Sequence, residues 1–156
     1  MELKHQLTSP ELSKRLSELG VRQESYFYHI KTDINDYQTI KHFQDNARNS
    51  FVSNYGNIVE EYSAFSVAEL GEMLPAYVEV EGYSFFKEKG IGYLTLQKHT
   101  QWKILYIIYR DGIPYVLGGY DDIKTNKKGG TFFADTEADA RAKMLIYLLE
   151  NKLIKK

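Results

Sequence analysis

Residues 101–117, Gln-Trp-Lys-Ile-Leu-Tyr-Ile-Ile-Tyr-Arg-Asp-Gly-Ile-Pro-Tyr-Val-Leu, constrain the fold more than any other stretch of the chain. Asp111-Gly112 lies between two runs rich in β-branched and aromatic residues. That dipeptide favours the type I′ turn, whose twist matches the strands it joins. A two-residue loop leaves one register: Arg110 opposes Ile113, Tyr109 opposes Pro114, Ile108 opposes Tyr115 and Tyr106 opposes Leu117. The pair beside the loop exchanges backbone hydrogen bonds, so the 109/114 pair does not. The N–H that Pro114 lacks would have pointed away from the hairpin, which predicts an edge or a bulge there. Both faces of Trp102–Tyr109 are apolar, with Trp102, Ile104, Tyr106 and Ile108 on one and Leu105, Ile107 and Tyr109 on the other. This is the pattern of a central strand covered on both sides.

Helix signals are punctuated as clearly. Ser9 as N-cap and Pro10 in the first turn precede Leu12, Leu16 and Leu19, and Gly20-Val21 supplies a left-handed stop, predicting a helix over 9–19. Ser66-Val67-Ala68-Glu69 forms a capping box stapled by Phe65 and Leu70, and Pro75 ends that helix after about two turns. Asp135 or Thr136 caps a third helix that runs toward Leu153. Asp135, Glu137 and Asp139 crowd its positive end, with Lys152, Lys155 and Lys156 at the other. Its inner face reads Ala138, Ala142, Leu145 and Leu149, flanked by Met144 and Leu148.

Further strands are expected at Ser25–Lys31 (Tyr26, Tyr28 and Ile30 on one face), Ile58–Ala64, Tyr77–Glu81, Ser84–Phe86, Tyr93–Lys98 and Thr131–Ala134. Thr32–Asn57 is polar, with a weak helical stripe of Tyr37, Ile40, Phe43 and Ala47 and a turn at Ser53–Asn57. It reads as a variable surface excursion. The expected fold is a single α+β domain over residues 1–156. It is a mainly antiparallel sheet of five to six strands packed by about three helices, N-terminal, middle and C-terminal.

Composition narrows the function classes. A chain of 156 residues can bury one sizeable core. A net charge of −1 argues against general nucleic-acid binding, which rests on a strong positive balance. The absence of cysteine removes disulfides, thiolate catalysis and cysteine-ligated metals, and fits a reducing compartment. No apolar run approaches the roughly 18 residues of a membrane-spanning helix. Met1–Pro10 lacks an apolar signal core, so a cytoplasmic protein without a membrane partner is expected. Tyrosine dominates the aromatic residues, 13 against 8 Phe and 1 Trp. Its ring packs while its hydroxyl stays wet, as at half-buried sheet faces and protein interfaces.

Chemical motifs are sparse. His5, His29, His42 and His99 show neither helical i,i+4 pairing nor a ligand motif, and structural or solvated roles are expected of them. Glu79 and Glu81 alternate with Val78 and Val80, as on the wet face of an amphipathic strand. Asp121-Asp122 starts no calcium-loop series. Lys127-Lys128-Gly129-Gly130 lacks the order of a phosphate loop and precedes a helix opened by three acids. No catalytic set, metal site or cofactor follows. One constellation has binding chemistry: Trp102, Tyr106 and Tyr115 on one hairpin face, with Arg110 at its end, suited to stacking a base or ligand ring. The competing reading places these rings in the core, because Ile104 and Ile108 sit between them.

Three segments carry a family resemblance: Leu7–Ser13 running to Gln23–Tyr28, Phe65–Pro75, and Phe133–Leu153. They resemble small proteins encoded by phages, prophages and gut bacterial genomes. That family has no established activity, so it lends no functional residues. What the resemblance implies is a mobile-element context. Joined to the tyrosine content and the lack of a catalytic set, it leads to the expectation of a non-enzymatic phage-type accessory protein in the cytoplasm of a bacterial host. Such a protein would bind a protein partner or itself. The alternative expectation is a small-molecule or nucleotide binder, for example an anti-defence sponge, using Trp102, Tyr106, Arg110 and Tyr115.

Overall fold

The computed structural model describes residues 5–42, 45–80, 83–94, 99–110, 113–117 and 133–155. In chain order the elements are α1 (Pro10–Glu18), β1 (Phe27–Thr32), β2 (Gln38–Lys41), α2 (Asp45–Tyr55), β3 (Ile58–Ser63) and α3 (Val67–Met73). There follow β4 (Tyr77–Val80), β5 (Tyr83–Leu94), β6 (His99–Arg110), β7 (Ile113–Leu117), β8 (Phe133–Ala134) and α4 (Glu137–Glu150).

Two sheets form. One is three-stranded in the order β2-β1-β3. The other runs β4-β5-β6-β7, with β8 also paired to β6. This overturns the expectation of one sheet of five to six strands with about three helices, since four helices occur among the described residues. The physical reason is the pairing of β1, which takes β2 on one side and β3 on the other, both antiparallel. Its backbone groups are consumed before β4 begins. The polar stretch 32–57 contains regular structure. It supplies β2 and α2, and the weak stripe misplaced the helix: Tyr37 precedes β2 and Ile40 lies within it, whereas α2 buries Phe51. Phe43 lies outside the described residues.

The large sheet keeps the hairpin register expected from the sequence, Arg110↔Ile113, Tyr109↔Pro114, Ile108↔Tyr115 and Tyr106↔Leu117. Among the described strands β7 pairs with β6 alone, which puts Pro114 at an edge of that described set. The Asp111-Gly112 loop itself lies outside the described residues. Where two short strands were expected before the hairpin, β5 is continuous and pairs with β6 from Phe86↔Ile107 to Leu94↔His99. The run Lys87-Glu88-Lys89-Gly90 hides a strand because neither charge nor glycine favours one in isolation.

Helix ends follow local chemistry, with one exception. Gly20 adopts φ 81°, and its N–H and that of Val21 donate to Ser17 O (2.9 Å) and Leu16 O (3.0 Å), closing α1 in a Schellman motif. Both halves of the α3 capping box are made, Ser66 N to Glu69 Oε2 (2.7 Å) and Glu69 N to Ser66 Oγ (3.2 Å). Thr136 caps α4 by accepting from Asp139 N (3.1 Å). Ser9 is the exception: its side chain makes no capping bond, and its N–H donates instead to Asp139 Oδ1 of α4 (2.7 Å).

The core lies between the large sheet and α4. Helix α4 packs along β6 and also against α1 and α3, so its buried stripe is broad: Ala138, Ala140, Ala142, Met144, Leu145 and Leu148. Leu149, expected on that face, is half-buried. Gly71 of α3 makes room for α4, because a Cβ there would lie 2.6 Å from Arg141 Nη1. That guanidinium pairs with Glu137 (2.7 Å) one turn earlier. Helix α1 joins the two halves of the molecule. Arg15 reaches Glu150 of α4 (2.6 Å) and Lys14 reaches Glu60 of β3 (2.9 Å).

Candidate functional site

The aromatic constellation expected on the hairpin is a line along the strand. Trp102 and Arg110 are eight residues apart on β6, about 26 Å at the usual rise, too far to contact one small ligand. Tyr106 is fully buried and its hydroxyl donates to Pro75 O (2.6 Å). Burial pushes its phenol well above the ordinary range. Its ring belongs to the core together with Ile104 and Leu117. Tyr115 and Arg110 are placed by register opposite Ile108 and Ile113.

A small open cavity adjoins Trp102. Trp102 is half-buried and lines this cavity, of about 260 Å³, with His5, Gln6, Val67, Asp135, Thr136 and Glu137. The β6–β8 pairing Trp102↔Ala134 brings the start of α4 to this point. An indole face with two nearby carboxylates is chemistry for a cationic group, although Glu137 already holds Arg141.

A second polar cluster was not legible in the sequence. Glu60 Oε2 accepts from Lys14 Nζ (2.9 Å), Tyr37 OH (2.8 Å) and Tyr62 OH (2.8 Å). Lys31 Nζ lies 3.9 Å from Glu60 Oε1 and 5.5 Å from the centre of the Tyr37 ring. Register aligns this set, since Lys31 opposes Glu60 and Tyr37 extends β2 by one residue. The hydrogen bonds from Lys14, Tyr37 and Tyr62 hold the Glu60 carboxyl down at about 2. Burial, then the neighbouring Glu60, pushes the Tyr37 phenol up to about 12. The cluster forms a clasp between α1 and the small sheet.

His29 makes a parallel clasp. It is buried, Nε2 meets Thr8 O at 2.6 Å and Nδ1 meets Thr39 Oγ1 at 2.9 Å. A carbonyl accepts only, so the neutral ring carries its proton on Nε2 and accepts the Thr39 hydroxyl on Nδ1. Burial lowers its pKa, opposed by the Thr8 carbonyl, Glu11 and Asp139. Thr8 Oγ1 in turn accepts Phe65 N (3.0 Å) and meets Ser13 Oγ (2.6 Å). Of the structural or solvated roles expected for the histidines, the hydrogen bonds of His29 fit the structural one.

Exposed large apolar side chains among the described residues are Tyr26, Ile34, Tyr55, Val59 and Tyr77. Three of them share a corner of the small sheet. Ile34 packs beside Gly56, Asn35 Nδ2 donates to Tyr55 O (3.1 Å), and Asn57 N donates to Asp33 Oδ1 (2.9 Å) two residues before Val59. The free edge of β3 is blunted. Its register slips between Lys31 and Thr32, and Ser63 N donates to Gln23 Oε1 (2.8 Å).

No group of three or more metal-ligating side chains occurs among the described residues, and no described helix is long and apolar enough to cross a membrane. Comparison with protein-family models, with curated proteins and with solved structures finds no match to this chain.

Proposed function

We propose that this chain is a non-enzymatic binding module of the phage or prophage accessory type, which works in the host cytoplasm by contacting another protein or a second copy of itself. The observation that carries this reading is the exposed corner of Ile34, Tyr55 and Val59, with Ile34 70% and Val59 55% exposed. Apolar side chains held at one place by backbone hydrogen bonds are an interaction surface more readily than a catalytic one. Glu60 and Tyr37 are hydrogen-bonded to each other, Tyr37 OH donating to Glu60 Oε2 (2.8 Å), which gives their perturbed pKa values a structural cause. The test is affinity capture from host lysate with the wild type and an Ile34→Ser/Tyr55→Ser variant, partners being identified by mass spectrometry. A partner lost in the variant supports the proposal. A wild type that captures nothing and stays monomeric by light scattering refutes it.

The Trp102 cavity favours a second reading, a small-molecule binder. Trp102 is the single tryptophan of the chain, so its emission reports the cavity directly. Titration with small cationic amines and nucleotides shifts that emission if this reading holds and leaves it unchanged if it does not.

A further inference from the structure

The three-stranded sheet has two free edges, β3 and β2, and the chain closes one of them. On β3 the outward N–H of Ser63 donates to Gln23 Oε1 (2.8 Å), and the register slips between Lys31 and Thr32. At the other edge β2 pairs with β1 in unbroken register, from Phe27↔Lys41 to Ile30↔Gln38. The bond from His42 N to Tyr26 O (2.8 Å) sets the phase of that ladder. Gln38, Ile40 and His42 therefore turn their backbone groups toward β1, and Thr39 and Lys41 turn theirs away from it. Both of these residues are exposed. Among the described residues their N–H and C=O groups meet no hydrogen-bond partner. Tyr37, the next outward position, has its N–H taken by Asp36 Oδ1 (2.8 Å), so the open edge is short.

A charge stands at this edge without its complement. Glu60 is held by Lys14 (2.9 Å) and Glu61 by Arg48 (2.7 Å). Lys41 has no carboxylate partner among the described residues. Its Nζ lies 5.8 Å from the centre of the Tyr26 ring, and Tyr26 is 63% exposed. Alternation puts Thr39 and Lys41 on one face of β2, with Gln38 and half-buried Ile40 on the other. Ile34, of the exposed corner, lies in the loop that leads into β2.

We propose that the β2 edge takes an extended acidic segment of a partner protein as a further strand, with a carboxylate facing Lys41. The inference rests on the reading of the protein as a binding module and names the chemistry of the partner. Charge selects this occupant over a second copy. The strand Gln38-Thr39-Ile40-Lys41 contains no acid, so pairing it with itself leaves both Lys41 ammonium groups unmatched. Lysine at an edge guards it against indiscriminate pairing, and a carboxylate opposite that lysine lifts the guard. Length selects a peptide as well. Thr39 and Lys41 together offer their N–H and C=O groups to one short added strand, whereas a stable dimer buries about 800 Å² on each partner. In strand addition of this kind main-chain bonds supply the affinity, and side chains on alternate positions supply the choice of partner.

The experiment is fluorescence anisotropy of the full chain with two capped, fluorescein-labelled probes, Gly-Glu-Val-Glu-Val-Glu-Gly and Gly-Lys-Val-Lys-Val-Lys-Gly. The acidic probe is expected to bind with a dissociation constant below ~1 mM, at least ~10-fold more tightly than the basic one. Lys41→Glu should reverse that order, and the exposed position lets the ladder to β1 stand. Amide exchange followed by NMR should slow at Thr39 and Lys41 on saturation with the acidic probe. Gln38 and Ile40, already bonded to β1, should change little. No binding of the acidic probe, equal binding of the two probes, or binding that leaves the Thr39 and Lys41 amides unprotected overturns the proposal. If Lys41→Glu fails to fold, the two probes and the two amides of the wild type still decide. A host protein captured by the wild type, lost with Ile34→Ser/Tyr55→Ser and retained with Lys41→Glu overturns the edge assignment and leaves the binding function standing.

Discussion

Gly56→Ala tests how the small sheet holds its exposed corner. Gly56 follows α2 with φ 91°, its N–H donating to Val52 O (3.1 Å). A residue with a side chain pays roughly 1–2 kcal/mol in that region. The added Cβ would also run into Asp33 Oδ1 and come within 2.7 Å of Ile34 Cγ1. Asp33 has no simple retreat, since its carboxylate accepts Asn57 N and Asn57 Nδ2, each at 2.9 Å. Displacing it forfeits two bonds of about 0.5–1.5 kcal/mol each. Alanine returns about 0.4–1 kcal/mol by restricting the unfolded chain. The expected loss is about 2–3 kcal/mol, read by urea unfolding, with a drop of roughly 5–10 °C in Tm. Hydrogen exchange at the Asn57 amide should accelerate in parallel. A double-mutant cycle with Asp33→Ala locates the cause: if the clash acts through Asp33, the two losses are sub-additive. A variant within about 0.5 kcal/mol of wild type, or two losses that simply add, would refute the reasoning.

Tyr106→Phe removes the donor to Pro75 O and should cost about 1 kcal/mol, measured by the denaturation midpoint, since a partly buried acceptor loses its partner. Acidification should release the Glu60 clasp. Its carboxyl sits at about 2 in the folded chain against an ordinary 4.5, so the unfolded chain binds the proton first as pH falls. The stability it contributes is whole above 4.5 and lost on descent toward 2; unfolding titrations of Glu60→Gln should show a flatter profile across that window. Lys152 ends α4 with φ 56°, and Leu153 N donates to Leu148 O (2.9 Å), the geometry of a glycine stop. Lys152→Gly should therefore stabilise the protein by about 1 kcal/mol, seen as a higher urea midpoint.

The sequence by itself determined what depends on neighbours a few positions away. The Gly20 stop, the Ser66–Glu69 box, the Thr136 cap and the Asp111-Gly112 register each rest on groups within a turn of helix or one hairpin, so the residues alone decide them. It did not show which strands would share a sheet, because β1 reaches β3 across residues 33–57, and no local pattern encodes that pairing. The weak stripe in 32–57 went astray for a related reason: α2 has few apolar residues to mark its face. The candidate site divides in the same way. The aromatic row of β6 was legible by alternation, but burial of Tyr106 and the space beside Trp102 come from α4, Pro75 and the N-terminal segment arriving from elsewhere. Glu60 met Lys14, and His29 met Thr8, only once the N-terminal segment and α1 lay across the small sheet, while strand pairing brought Tyr37 to Glu60 and Thr39 to His29. Hydrogen bonds and salt links need atoms within about 3 Å. Tertiary structure alone supplies that proximity.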